Sequence, residues 1–319
     1  MKVVYGLTHF KPLDKKPVVA LGIFDGLHRG HQRIITDLLK EAKAFRTLSL
    51  VITFFPHPQR ENSLYSLRHR LKLLEEAGID LCLVIRFSPA FRKMPACEFL
   101  QRVLIKRINP RAVLIGRNFS FGRNAEGNWR MIKDYSKKAK FKLRITRVLS
   151  YNGLPISSSY IRALIKGGKF LRAQELLGRP VTIFGRVTKG EHLGRILGYP
   201  TANINPEQEI LPPCGVYAVR VRVANRLFRG ICYIGNKPTF NPTPSYLGSR
   251  LLFRRGGGKA SSKTNIEVHI FDFKKVLYGR RIQIEFIKGI RPQKRFRSVG
   301  ALASQIKRDI VNCHKTFRK

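Results

Sequence analysis

The chain has 319 residues, enough for two domains with separate cores, and its 43% hydrophobic and 10% aromatic content is that of a globular protein. Its charge is unusual: 62 Lys and Arg stand against 19 Asp and Glu, a net charge of +43 that draws nucleic acid, anionic surfaces and phosphorylated ligands alike. No apolar run nears the roughly 18 residues that span a bilayer, no signal-peptide pattern opens the chain, and five scattered cysteines show neither ligand spacing nor a disulfide framework, so a cytoplasmic protein without membrane partners is expected.

The first half alternates strand-like and helix-like runs. Val18-Val19-Ala20-Leu21 reads as a buried strand, and after the turn GIFDGLHRGH (Gly22 to His31) the residues Ile34, Ile35, Leu38, Leu39 and Ala42 mark one helix face. A strand, a glycine-bearing turn and a helix N-terminus together make an anion site, with free backbone N–H groups and the positive dipole end facing it. Gly22 and Gly26 allow close approach of a ligand to the backbone, so Gly22, Phe24, Asp25 and Gly26 are candidate nucleotide contacts. His28 and His31 fall on the same side of the helix mouth, where imidazoles can donate to phosphate oxygens as charge develops. A blander alternative stands beside this: the histidines only cap the helix.

Leu48 to Phe54 is a second strand, ending in FPHP, whose prolines stop it and expose His57 at its carboxyl edge. Helical patterns over Leu64 to Ala77, with Gly78 as its cap, and over Cys97 to Ile108 alternate with strands at Leu81 to Ile85 and Ala112 to Ile115. Such alternation implies a parallel sheet with crossover helices and ligands at the strands' carboxyl ends. The loop GRNFSFGRNAEGN (Gly116 to Asn128) offers Asn118, Phe119 and Phe121 to a flat ring. In ISSSYIR, Ser157, Ser158 and Ser159 open a helix, and Arg162 lies one turn inside, able to hold a polyphosphate with two prongs.

From Val181 the pattern changes to short alternating β-runs between glycines and prolines: VTIFGRV, GVYAVRVRV, RLFRGICYIG, NIEVHIFDF and RIQIEFIKGI. An antiparallel barrel is expected, with the boundary near Leu177 to Pro180 and a closing amphipathic helix over Ala301 to Val311. Gly185, Gly190, Gly194 and Gly198 make a backbone-rich phosphate cradle. It ends in Pro200-Thr201-Ala202-Asn203, where Thr201 and Asn203 share a strand face and together suit one Mg²⁺ completed by nucleotide phosphates. Glu267, on a strand with His269 on the same face, is a candidate base for a primary alcohol, or else a solvated residue on an outer face.

These motifs carry a resemblance. HxGH at a strand-to-helix turn resembles the nucleotidyltransferase superfamily. GIFDGLHRGHQ, TFFPHP, GRNFSFGRNAEGN and ISSSYIR, in that order, with PTAN, IGNKPTF, ExHIFDF and LYGRRIQIEF behind them, resemble the prokaryotic bifunctional FAD synthetase family over nearly the whole chain. Ser159 stands where that family usually has threonine, and Asn118 where it has aspartate. The resemblance implies an α/β nucleotidyltransferase domain with a Rossmann-like parallel sheet (1–178), followed by an antiparallel β-barrel riboflavin kinase domain with a C-terminal helix (179–319). It further implies phosphorylation of riboflavin to FMN and adenylylation of FMN to FAD, with ATP as co-substrate and Mg²⁺ as cofactor. Under it His28, His31, Arg162 and Glu267 are catalytic, Thr201 and Asn203 bind the metal, and His57, Asn118, Phe119, Phe121 and Arg291 contact flavin.

A rival from another class is an RNA-binding protein on a decayed nucleotidyltransferase fold, suggested by the charge. The basic residues run along the whole chain, however, and no RNA-module signature is present, so nucleic-acid binding is expected to be non-specific and electrostatic only. The connection between Phe240 and Glu267 is longer than the family's, and its basic, Gly/Ser-rich part, Arg254 to Thr264, is expected to be mobile.

Overall fold

A computed structural model describes residues 1–58, 63–147, 149–190, 198–207, 210–224, 226–235 and 264–318. They gather into two compact units, the first chiefly Met1–Leu164 and Leu171–Arg179, the second chiefly Ile165–Phe170, Pro180–Glu207 and Leu211–Lys319. Gly194 and nearly all of the long basic connection lie outside the described residues.

The first unit carries β1 (Lys2–Tyr5), β2 (Val18–Leu21), β3 (Ser49–Phe55), β4 (Leu81–Arg86), β5 (Ala112–Gly116) and β6 (Lys142–Thr146). All pair in parallel, in the order β1-β4-β3-β2-β5-β6. Residues 18–21, 50–52 and 112–115 are buried, covered on both faces, which is why they read as unbroken apolar runs. The order runs outward from β2 through β3 to β4 and then returns to place β5 on the other side of β2. The crevice between β2 and β5 is therefore the topological switch point, where open α/β sheets bind ligands.

Helix α1 (Arg29–Ala44) leaves that point and buries Ile34, Ile35, Leu38 and Ala42. Helix α2 (Leu67–Glu76) begins later than the apolar pattern suggests, because the Ser66 hydroxyl caps it by accepting from the His69 N–H. Leu64 and Tyr65, just before it, turn their backbone N–H groups to Asp25 instead. Beyond the single turn α3 (Pro89–Arg92), the expected helix from Cys97 is a turn of α-helix, α4 (Ala96–Glu98), running into a π-helix, Phe99–Ile108. Phe99, Val103, Leu104 and Ile108 are buried along it, a spacing that the wider turn also serves. Three further elements carry no clear sequence signal. Strands β1 and β6 lie at the sheet edges with no fully buried residue, so their alternation is weak, and α5 (Trp129–Ala139) buries only Ile132 and Ser136. The hairpin β7 (Ser150–Tyr151) and β8 (Leu154–Pro155) leads to α6 (Ser158–Lys166) and α7 (Phe170–Leu177).

In the second unit β9 (Thr182–Thr188), β10 (Ala202–Asn205), β11 (Gly215–Val223), β12 (Arg226–Gly235), β13 (Asn265–Ile270) and β14 (Arg281–Pro292) close into an antiparallel barrel, β10-β13-β12-β11-β14-β9. Its interior is filled by the inward residues of each strand, among them Ile183, Val219, Cys232, Ile234, Ile266, Val268 and Ile284, all buried. Helix α8 (Val299–Thr316), longer than the expected Ala301 to Val311, packs outside β11, β12 and β14. There Cys313 joins Ala218 and Phe271 in a small apolar cluster.

Candidate active sites

At the switch point the backbone is unusual over a few residues. Phe24 is left-handed at φ 54° and Gly26 lies at φ 76°. A Cβ on Gly26 would also meet Leu64 Cδ1 at 2.5 Å, so conformation and space both require glycine there. Between them Asp25 is 2% exposed. Its carboxylate accepts the Leu64 and Tyr65 N–H groups at 3.0 and 3.2 Å, with His57 Nε2 and Arg162 Nε each 4.0 Å away. The Asp25 carbonyl accepts from the Ser158 hydroxyl at 2.9 Å. Three motifs far apart in sequence, GIFDG, TFFPHP and ISSSYIR, thus converge on this one acid. Beneath the turn Arg70, 1% exposed, donates to the Ile23 carbonyl at 2.6 Å, the Thr53 hydroxyl at 3.1 Å and the Phe54 carbonyl at 3.5 Å.

His28 is the N-cap of α1, its Nδ1 accepting from the His31 N–H at 3.4 Å. Capping and phosphate binding are therefore compatible: with Nδ1 an acceptor, a neutral imidazole carries its proton on Nε2 as a free donor. Burial, helped by the Arg179 charge, pushes the His28 imidazole down to about 4, and the same causes with His28 itself hold His31 well below the usual histidine range. The two rings stack at 3.7 Å. A Cβ on Gly30 would fall 3.2 Å from the His28 ring, which gives the glycine of HxGH its reason. Ser157 caps α6 through the Tyr160 N–H at 3.2 Å, Ser159 is exposed, and Arg162 is 8% exposed.

These groups line a cleft of about 470 Å³. Gly22, Phe24, Asp25, His28, His31, His57, Asn118, Phe119, Phe121, the three serines and Arg162 are all in its wall; Gly26 is not. Phe119 stacks on Phe121 at 5.6 Å, and Phe121 in turn packs on Phe99 in the core, so Phe119 is the more available ring. Sequence reasoning does not single out Phe87 and Phe91, which share the wall, because aromatics in an amphipathic run read as core. Burial also lowers the His57 imidazole, against the pull of Asp25.

On the barrel, β10 pairs Asn203 with Glu267 of β13 and with Thr188 of β9. Thr201 lies just before the strand rather than on it, and its hydroxyl donates to Glu267 Oε2 at 3.3 Å. Asn265 Nδ2 donates to Glu267 Oε1 at 2.9 Å. A Cβ on Gly190 would collide with the Asn203 amide, so that amide packs against the Gly190 backbone where a side chain would otherwise stand. Gly185 has another reason to be small: its Cβ would strike the Asn205 carbonyl at 2.5 Å inside the barrel wall. Gly198 is a turn residue at φ 84° with open space around it. His269 shares the outer face with Glu267, and its Nδ1 lies 2.8 Å from the Pro200 carbonyl.

The same outer face carries a row across four strands: Glu267 pairs with Tyr233, Tyr233 with Val216, and Val216 with Arg291. Burial, aided by Cys214 and Glu267, raises the Tyr233 phenol above its ordinary value. Arg291 is not brought directly to Glu267. It is held by Asp309 of α8, with both carboxylate oxygens 2.9–3.0 Å from Nε. Among the described residues no cluster of three or more His, Cys, Asp or Glu side chains could hold a metal ion.

Comparison with known proteins follows the same division. A family model described as FAD synthetase matches residues 10–160, and one described as riboflavin kinase matches residues 177–317. The chain is 35% identical over 326 residues to the bifunctional riboflavin kinase/FMN adenylyltransferase of Buchnera aphidicola subsp. Schizaphis graminum (strain Sg), covering 99% of each. It is 31% identical over 326 residues to the protein of the same name from Escherichia coli (strain K12), covering 99% of this chain and 98% of that one. A crystal structure described as a macrolide-efflux protein from Streptococcus pneumoniae matches with a TM-score of 0.80 at 26% identity, over 98% of this chain and 99% of that one. Among the described residues no helix is long and apolar enough to cross a membrane, and efflux is not carried over from that likeness.

Proposed function

The chain belongs to the bifunctional riboflavin kinase/FMN adenylyltransferase family, and from that premise we propose how its two sites divide the work. The protein is a transferase of flavin cofactor biosynthesis that uses ATP to convert riboflavin to FMN and FMN to FAD. Residues 1–178 carry the adenylyl transfer, joined by Arg179, which falls in the same compact unit, and the rest of the chain to residue 319 carries the phosphorylation. The observation that supports this reading is that the two groups of candidate residues fall in different compact units, in the order of the two family models. An RNA-binding protein on a decayed fold is not favoured, since both family models and the full-length relatives point to the flavin enzymes.

In the first site an FMN phosphate oxygen attacks the α-phosphorus of ATP and pyrophosphate leaves. The His28 Nε2–H and the His31 imidazole donate to the oxygens on which charge accumulates, as donors already held in place before the reaction. Both rings are neutral at working pH, so they act as dipoles rather than as charges. Arg162, oriented toward Asp25, supplies the positive charge. Gly22, Phe24 and the serine-capped start of α6 border the nucleotide, while His57, Asn118, Phe119 and Phe121 hold the flavin. The role of Asp25 is to fix the turn and to anchor His57 and Arg162.

In the second site the riboflavin 5′-hydroxyl attacks the γ-phosphorus of ATP, the bond to the bridging oxygen breaks so that ADP leaves, and Glu267 accepts the hydroxyl proton. The two donors on Glu267, Thr201 and Asn265, aim the carboxylate. The Asn203 amide, packed against the Gly190 backbone, and the Thr201 hydroxyl are hard neutral oxygen donors that fit Mg²⁺, which prefers a few protein oxygens plus phosphates. These two residues would hold it, and when bound it neutralises phosphate charge. Arg291, braced by Asp309, borders the flavin from the far end of the row.

Incubation of the protein with riboflavin, ATP and Mg²⁺, with flavins separated over time, tests the reading. FMN should rise first and FAD should follow at its expense. Riboflavin left unchanged, or FAD absent when FMN is supplied directly, would reject it.

A further inference from the structure

Arg179 follows α7 and is 152 residues from Leu27, yet its side chain is bound into the turn before α1. Nη2 donates to the Gly26 carbonyl, and Nη1 donates to the Leu27 carbonyl at 3.0 Å. The guanidinium lies over the Tyr65 ring at 5.3 Å, which holds its plane. Gln32 adds a second tie between the same places, its Nε2 donating to the carbonyls of Leu27 at 2.8 Å and Leu177 at 2.7 Å. Gly178 makes the connection possible: it sits at φ 70°, and a Cβ there would meet Gln32 Oε1 at 3.1 Å and Arg29 Cγ at 3.3 Å.

Two adjacent carbonyls held by one rigid fork fix two successive peptide planes. Because the peptide is planar, the direction of the Leu27 carbonyl also sets that of the His28 N–H, and hence how the His28 ring leaves the helix. We infer that Arg179 is a positioning residue for adenylyl transfer, clamping the Gly26 and Leu27 peptides so that His28 and His31 face the cleft. This rests on the reading that those histidines serve that reaction. The same guanidinium is close enough for its charge to help keep both imidazoles neutral.

Lysine keeps the charge but loses the planar fork, so the two contributions separate. In the full-length chain, Arg179→Lys should lower kcat for adenylylation of supplied FMN by up to about 10²-fold, the scale of an ångström's misplacement. KM for FMN and riboflavin phosphorylation should stay near their unmutated values. In Arg179→Ala, which also removes the charge, the His28 and His31 ring signals should titrate at higher pH by NMR than in either the unmutated protein or Arg179→Lys. Unimpaired adenylylation in Arg179→Lys would overturn the inference. So would loss of both activities together, or loss of the folded circular-dichroism signal in that variant, since either marks a general structural strut. His31→Ala is the reference: if it makes FAD at full rate, the histidine reading fails first and the inference falls with it.

Discussion

The switch-point cleft and the outer face of the barrel, the two proposed nucleotide sites, differ in how far their polar side chains are removed from solvent. In the cleft, Asp25, His28, Arg70 and Arg162 are all buried. Each is held there by backbone groups or by one another, so the surroundings decide protonation: the imidazoles are kept neutral while the acid sits among cations. On the barrel, Thr201, Asn203 and Glu267 are only partly buried. Strand pairing and a single glycine-sized gap hold them in place. The first site is therefore governed by electrostatics among buried groups, the second by register and steric room. Each should fail in its own way.

The largest effect is expected at Asn203 on the barrel. Asn203→Ala should nearly abolish riboflavin phosphorylation, and Gly190→Ala should do the same without touching a ligand, because its methyl group displaces the Asn203 amide. Both variants should still convert supplied FMN to FAD, as chromatography of the flavins would show; if they lose that step as well, the two sites are not independent. Next in size, His31→Ala should slow FAD formation by about 10²–10³, the usual loss on removing one preorganised donor, while FMN still accumulates. Glu267→Gln should reduce phosphorylation by about 10²-fold, the lower end of general-base effects, with riboflavin affinity little changed. Full-rate phosphorylation in that variant would place the base elsewhere.

The last effect is on stability rather than on rate and belongs to the cleft. The folded His28 titrates near 4 and an unfolded histidine near 6.5. Between those values the unfolded chain binds a proton that the folded chain refuses, so stability falls as pH drops through that window. For His28 the loss amounts to about 3 kcal/mol by pH 4, and His31 adds to it in the same direction. Urea titrations at pH 7 and pH 4.5 should show the gap narrowing in His28→Gln. A gap of unchanged size would mean that the imidazole is not buried as a neutral group.

Much of this was legible because its determinants are local. The parallel sheet follows from apolar runs alternating with helical periodicity, the barrel from two-residue alternation, and the turn after β2 from its glycines. Other features gave misleading or absent local signals. Gly185 resembles a phosphate glycine, but it makes room for the Asn205 carbonyl. For Arg291 the resemblance implies a flavin contact, while no local pattern shows that it also pairs with a buried acid on α8. The edge strands β1 and β6 and the helix α5 bury too little to leave a pattern.

By itself the sequence determined the order of the elements, the two architectures and the residue types available at each strand end, because backbone propensity and hydrophobic period act over a few residues. Only the tertiary structure decided that Asp25 gathers three motifs, that Arg70 and Arg179 brace the turn before His28, and that Thr201 and Glu267, 66 residues apart, share a hydrogen bond. A buried polar group must find its partner wherever the fold closes against it. That choice is made by which distant segments become neighbours, and no local pattern records it.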